Sequence, residues 1–129
     1  MKHLSVKKIA TSVARAEDVP ALLDAQGVEF QPIDCVDWAA DYPYAPKVEF
    51  RIAHKGDAVL IEYRVSEQSV AAVAPHDNGR VWEDSCCEFF ISDPTDGTYY
   101  NFEMNCIGTL LAAQRKSRED CVHFSADKL

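Results

Sequence analysis

The residues of this chain best placed to do chemistry lie on two strand-like runs, roughly Asp84–Ser92 and Tyr99–Cys106. They flank the loop Asp93-Pro94-Thr95-Asp96-Gly97-Thr98. Pairing the runs so that partner numbers sum to 191, with residue 93 against residue 98, sorts the side chains by type. Cys86, Glu88 and Phe90 then face Asn105, Glu103 and Asn101, a mostly polar set. Cys87, Phe89 and Ile91 face Met104, Phe102 and Tyr100, an apolar set expected to form the core side. A slip of one residue would mix the two sets, so the pattern specifies the register. Directly opposite residues hold their Cβ atoms about 4.5–5.5 Å apart, where like charges repel, so Glu88 against Glu103 needs a reason. One is neutralisation by Arg51 or Arg64, if their hairpin is the sheet neighbour. Another is a ligand rich in hydroxyls, which carboxylates and amides can bind while an aromatic ring covers its face. The third is acid–base chemistry, since retaining glycosidases hold two carboxyl groups about 5–5.5 Å apart. Nothing in so short a chain signals the deep cleft that this would need. Trp82 follows the turn at Asn78-Gly79 and is flanked by Arg80 and Glu83-Asp84. That puts it at a strand entrance, where a ring can stack, although a tryptophan taken alone is more often a core residue.

The elements that must position these groups come from one domain's worth of chain. It has 129 residues, 47 % of them hydrophobic and 26 % charged, which is ordinary for a folded domain. The net charge of −8 argues against duplex nucleic acid and against anionic membrane surfaces. The longest apolar run, Val70 to Ala74, is far below the roughly 20 residues of a transmembrane helix. Lys2, Lys7 and Lys8 followed by Ala14-Arg15-Ala16 are a weak imitation of a secretory signal, interrupted by Thr11 and Ser12. Five cysteines (Cys35, Cys86, Cys87, Cys106, Cys121) with no CxxC spacing then read as reduced thiols, and the expected location is cytoplasmic.

Along the chain, a short strand is expected around Leu4 to Ile9. Glu17 to Gln26 is the one helical candidate, with Asp18 able to cap, Pro20 in the first turn and Gly27 at the end. Trp38 to Pro46 is a loop rich in tyrosine and proline. Val48, Phe50 and Ile52, then Val59, Ile61, Tyr63 and Val65, alternate with polar residues on either side of a turn at His54-Lys55-Gly56-Asp57. This is a hairpin with one buried and one solvated face. Gly108 breaks the later run, and Thr109 to Ala113 returns as a further strand. The expected fold is mainly β, an antiparallel β-sandwich with one short N-terminal helix.

The segment Val81-Trp82-Glu83-Asp84-Ser85-Cys86-Cys87-Glu88-Phe89-Phe90-Ile91-Ser92 is distinctive. With Asp96–Glu103 and Asn105–Leu111, it resembles carbohydrate-binding module family 9, in particular its compact members from gut Bacteroidetes. A weaker likeness extends to Tyr42-Pro43-Tyr44, Phe50–His54 and Asp77–Arg80, so that roughly residues 38–118 are covered. The resemblance implies a DOMON-like β-sandwich that binds mono- or oligosaccharides without catalysis, often as an accessory to glycoside hydrolases such as xylanases. It implies Trp82 as a stacking platform and Glu88 as a sugar contact; Arg80, Asn101 and Glu103 are read from the polar face beside them as further candidate contacts. Some sugar-binding members carry Arg where Glu103 stands. Family domains continue through further strands that supply a second tryptophan, a position Trp38 does not match. The sandwich is therefore expected to be incomplete at its C-terminal end, with open edges able to self-associate. The family also often holds calcium, for which Asp93 and Asp96 are candidates, although a plain hairpin turn suits them better. His3, His54, His76 and His123 show no ligand spacing, and Met104 is expected to fill space rather than bind the haem of remote relatives.

Overall fold

The computed structural model describes residues 2–129, which divide into two compact units, residues 2–68 and 69–129. The first holds strands β1 (Lys7–Lys8), β2 (Gln31–Ile33), β3 (Lys47–His54) and β4 (Val59–Ser66) and one helix, α1 (Val19–Ala25). β3 is the hub: it pairs antiparallel with β4 along one edge, and with β2 and parallel β1 along the other. The helix enters through a 3-10 turn at Ala16–Asp18 and carries Pro20 in its first turn. Asp18 makes no side-chain cap; the chain leaves the helix at Gly27, whose φ of +61° suits a residue without Cβ.

The hairpin β3–β4 forms as its alternation predicts, but the inward side is the other one. Arg51, Ala53 and Leu60 are buried beneath the helix with Ile9 and Leu23, while Val48, Phe50 and Ile52 are only half-buried. The reason is that Arg51, 3 % exposed, arrives with its partners. Its Nε donates to Glu62 Oε2 at 2.6 Å, directly across the ladder. One terminal nitrogen donates to Asp24 Oδ1 at 2.5 Å and the other to the Pro20 carbonyl at 3.0 Å, both on α1. The guanidinium also lies 4.5 Å from the centre of the Phe30 ring. A charge so satisfied can be buried, and it ties the helix to the sheet.

The second unit is a meander, β5 (Cys86–Ser92), β6 (Tyr99–Asn105), β7 (Leu110–Arg115) and β8 (Cys121–His123), each strand antiparallel to the next. The β5–β6 register is the predicted one, from Cys86 against Asn105 to Ser92 against Tyr99. Its sidedness is reversed. Asn101, Glu103 and Asn105 are buried beside Leu111 and Ala113, and the apolar set, Met104 included, is half-buried or exposed. There Phe102 stacks on Phe89 and Phe124, with ring centres 6.4 and 6.3 Å away. The polar set turns inward because residues 69–85 pass over that side and bring Val81 and Ala74 against Leu111 and Ala113. Neither β8 nor the docking of Phe124 was legible in the sequence pattern.

Arg51→Ala should destabilise the protein by about 3 kcal/mol, the lower range for breaking a buried pair, because Asp24 stays solvated. Arg51→Lys should recover only part, since an ammonium cannot serve three separated acceptors in one plane. Urea unfolding reads both.

Candidate functional site

The site is built on the segment that covers β6. Asp77 and Asn78 run along β7 beyond the end of β8 and act as a substitute edge. Asn78 N donates to the Leu110 carbonyl at 2.9 Å, Asn78 Oδ1 accepts from Ala112 N at 3.1 Å, and Asp77 Oδ1 accepts from Leu110 N at 2.9 Å. Asn78 sits at φ +57°, which asparagine tolerates. At Gly79 an added Cβ would lie 2.9 Å from the His76 carbonyl oxygen, so the turn requires glycine. Val81 is fully buried, and the next residue, Trp82, points outward and is 53 % exposed. Both belong to a 3-10 turn, Val81–Glu83, against β5 and β6.

Asp84 pins the other end of this turn. Its carboxylate accepts from Val73 N at 2.9 Å, Ala74 N at 3.0 Å and Asn105 Nδ2 at 2.9 Å. These donors hold the Asp84 carboxyl below the usual carboxylate range. Asn105 Oδ1 in turn accepts from Ile107 N and Thr109 N, which shapes the turn between β6 and β7. Trp82 is thus an exposed ring on a short turn fixed from both sides.

Below it runs a chain of polar contacts along the sheet. Arg115 Nε donates to Asn101 Oδ1 at 2.6 Å, and Asn101 Nδ2 donates to Glu103 Oε1 at 2.8 Å. Glu103 Oε2 is buried without a hydrogen-bond partner, and Glu88 lies opposite on β5. Burial, and then the Glu88 charge, raise the Glu103 carboxyl above its usual range against the pull of Arg115 and Asn101. Burial and the same two carboxylates push the Cys86 thiol up to about 11, which keeps it protonated near neutral pH.

The predicted contacts thus separate into layers. Trp82 and Glu88 are exposed. Asn101 and Glu103, expected on an open polar face, are 1 % and 7 % exposed and stand beneath the surface. Arg80 is solvated and pairs with Glu83 at 3.0 Å. Arg51 is committed to Glu62 and Asp24, and Arg64 lies over the Phe30 ring and 3.8 Å from Glu62. The arginine near the pair is Arg115, at a strand end two residues beyond the predicted strand. Asn105, expected on the polar face, and Asp84, expected as a polar flank of Trp82, are brought together by a hydrogen bond that the pattern does not show.

The hairpin loop is closed by its own residues. Asp93 Oδ1 accepts from Thr95 N and Oγ1, at 2.8 and 2.6 Å, and Asp96 Oδ1 accepts from Thr98 N at 2.8 Å. No group of three or more His, Cys, Asp or Glu side chains among the described residues is placed to hold a metal. Among the described residues, no helix is long and apolar enough to cross a membrane.

The family model described as carbohydrate-binding family 9 matches residues 17–129. The chain belongs to that family. The family 9 chain is also similar to a crystal structure from Bacteroides uniformis described as a "putative carbohydrate-binding protein", with 53 % identity and a TM-score of 0.88. The match covers 96 % of this chain and 57 % of that one, so the family 9 chain spans little more than half of the relative's length. Among curated proteins, none matches. The mainly β fold, with two four-stranded sheets and one short helix, is in keeping with a family 9 β-sandwich.

The charge on Glu103 gives a pH test. A carboxyl whose folded pKa is raised favours the folded state below its unfolded value, near 4.5, and that contribution is lost as pH rises through the folded pKa. Glu103→Gln should therefore stabilise the protein by about 1 kcal/mol at pH 7 and by little near pH 4. Thermal unfolding at the two pH values reads the difference; an equal gain at both would contradict the assignment.

Proposed function

We propose that this protein binds neutral carbohydrate, as mono- or oligosaccharide units of the glucose or xylose type, without transforming it. The observation that carries the reading is an indole ring, Trp82, held half-exposed on a turn pinned by buried Val81 and by Asp84. A pyranose offers a face of C–H bonds that such a ring can cover, and a rim of hydroxyls that need charged or polar partners. Glu88, exposed on the strand beside the turn, serves as the hydroxyl acceptor. Arg80, held by Glu83, stands at the rim. Asn101 and Glu103 act from beneath as positioning residues, since their burial keeps them from direct contact. Fixing the ring before the ligand arrives lowers the ordering cost of association. The family assignment supports the same ligand class. A role beside polysaccharide-degrading enzymes such as xylanases, in the cytoplasm with five reduced cysteines, belongs to this proposal.

The glycosidase reading of Glu88 and Glu103 is the weaker one. Both carboxyl groups of such a pair must reach the scissile bond, and Glu103 lies inside with its free oxygen shielded. A raised carboxyl pKa here follows from burial rather than from a cleft shaped for catalysis.

The test uses the two tryptophans of the chain, Trp38 and Trp82. In Trp38→Phe, Trp82 alone reports, and its emission should change saturably with cellobiose or xylobiose. Adding Glu88→Gln should weaken that affinity roughly tenfold, the size expected for a hydrogen bond to a charged acceptor. Flat emission with glucose, xylose, cellobiose and xylobiose, in protein with native circular dichroism, would contradict the proposal.

A further inference from the structure

The first unit carries an aromatic cleft lined by its own residues. It has a volume of about 530 Å³ and lies between the start of β3, the β2 strand and the loop that joins them. That size is within the usual range for small-ligand sites. Trp38, Tyr42 and Tyr44 all line it, and the first two are 71 % and 73 % exposed. Large rings so exposed on one short loop are uncommon in a surface that serves no contact.

The loop holds them in place. Asp41 N and Tyr42 N both donate to the Trp38 carbonyl, at 3.0 and 2.7 Å, closing a turn that spaces two of the rings. Gln68 N donates to Tyr44 Oη at 3.0 Å and fixes the third. Pro43 and Pro46 flank Tyr44 and restrict the backbone on both sides. The rim is charged, with both signs present. Lys47 Nζ lies 3.1 Å from Glu49 Oε2, and Lys2 is paired with Asp34. Asp37 lines the cleft as well.

This combination selects among ligands. A purely apolar ligand would strip water from Asp34, Asp37 and Glu49 without replacing it. A polyanion would be repelled by Asp34, Asp37 and Glu49, and a polycation would have to displace Lys2 and Lys47 from two of these carboxylates. A hydroxyl both donates and accepts, so it can use the ammonium and the carboxylate of the same pair. The rings then need a ligand with flat C–H faces. We infer that the Trp38–Tyr42–Tyr44 cleft is a second carbohydrate site, taking a short neutral oligosaccharide of pyranose units and independent of Trp82. Two such sites on one chain would strengthen attachment to a polymer through effective concentration rather than through any new contact.

The experiment is the mirror of the one above. In Trp82→Phe, Trp38 alone reports. Its emission should be quenched readily by acrylamide, and should change saturably with cellobiose or xylobiose. Adding Tyr42→Ala should weaken that binding roughly three- to tenfold, the size of a lost aromatic stacking contact. A Trp38 shielded from acrylamide would overturn the inference, as would flat emission in protein of native circular dichroism. So would binding that Tyr42→Ala leaves untouched. Because each variant silences one tryptophan, failure at this cleft and failure at Trp82 are read separately.

Discussion

Burying polar side chains in a row is costly unless each finds a partner, and the second unit is organised around meeting that demand on β6. Asn105 is satisfied by Asp84 and by two backbone amides; Asn101 by Arg115 and Glu103. Because Asp84 also takes the amides of Val73 and Ala74, the partners that satisfy β6 are the ones that hold the covering segment in place. The exposed position of Trp82 follows from this, with Val81 as the apolar plug beside it. The one defect in the row is Glu103 Oε2, which has no partner. A carboxylate kept so close to Glu88 costs stability at neutral pH.

The first unit solves a similar problem with a charge. Arg51 occupies an inward position that alternation would assign to solvent, and four acceptors and one ring surround it. In both units the apolar set of the alternation, Phe50 and Ile52 in one and Phe89 and Phe102 in the other, is left half-buried. Ring contacts across those faces, tilted between Phe50 and Tyr63 and stacked between Phe102 and Phe89, give them order without full burial.

What could be read from residues alone was therefore the pairing, and what could not was the side. The β5–β6 register was legible because a slip of one residue exchanges every side chain between faces. The choice of inner face depends on which segment lands on the sheet, and that is set by contacts far apart in sequence. Asn78 reaching Ala112, Asp84 reaching Asn105 and Asp24 reaching Arg51 are three of them. Trp82 was legible as a stacking candidate because charged residues and a tight turn flank it. Arg115 was not, because the apolar run that marks its strand stops at Ala113. The helix was placed nearly to its ends, but Asp18 turned out not to cap it, since a 3-10 turn supplies the entry instead.

The proposed docking of a sugar on Trp82 requires no rearrangement of the segment that carries the ring. The most direct measurement is the set of NMR shifts of indole and backbone amide signals as cellobiose is added to saturation. The account predicts a large shift of the Trp82 indole N–H and of amides near Glu88, with the amides of Val73 and Ala74 unmoved on Asp84. An unmoved Trp82 indole signal at saturating sugar would contradict it. So would shifts spread through residues 69–85, which would mean that the platform forms only when the ligand binds.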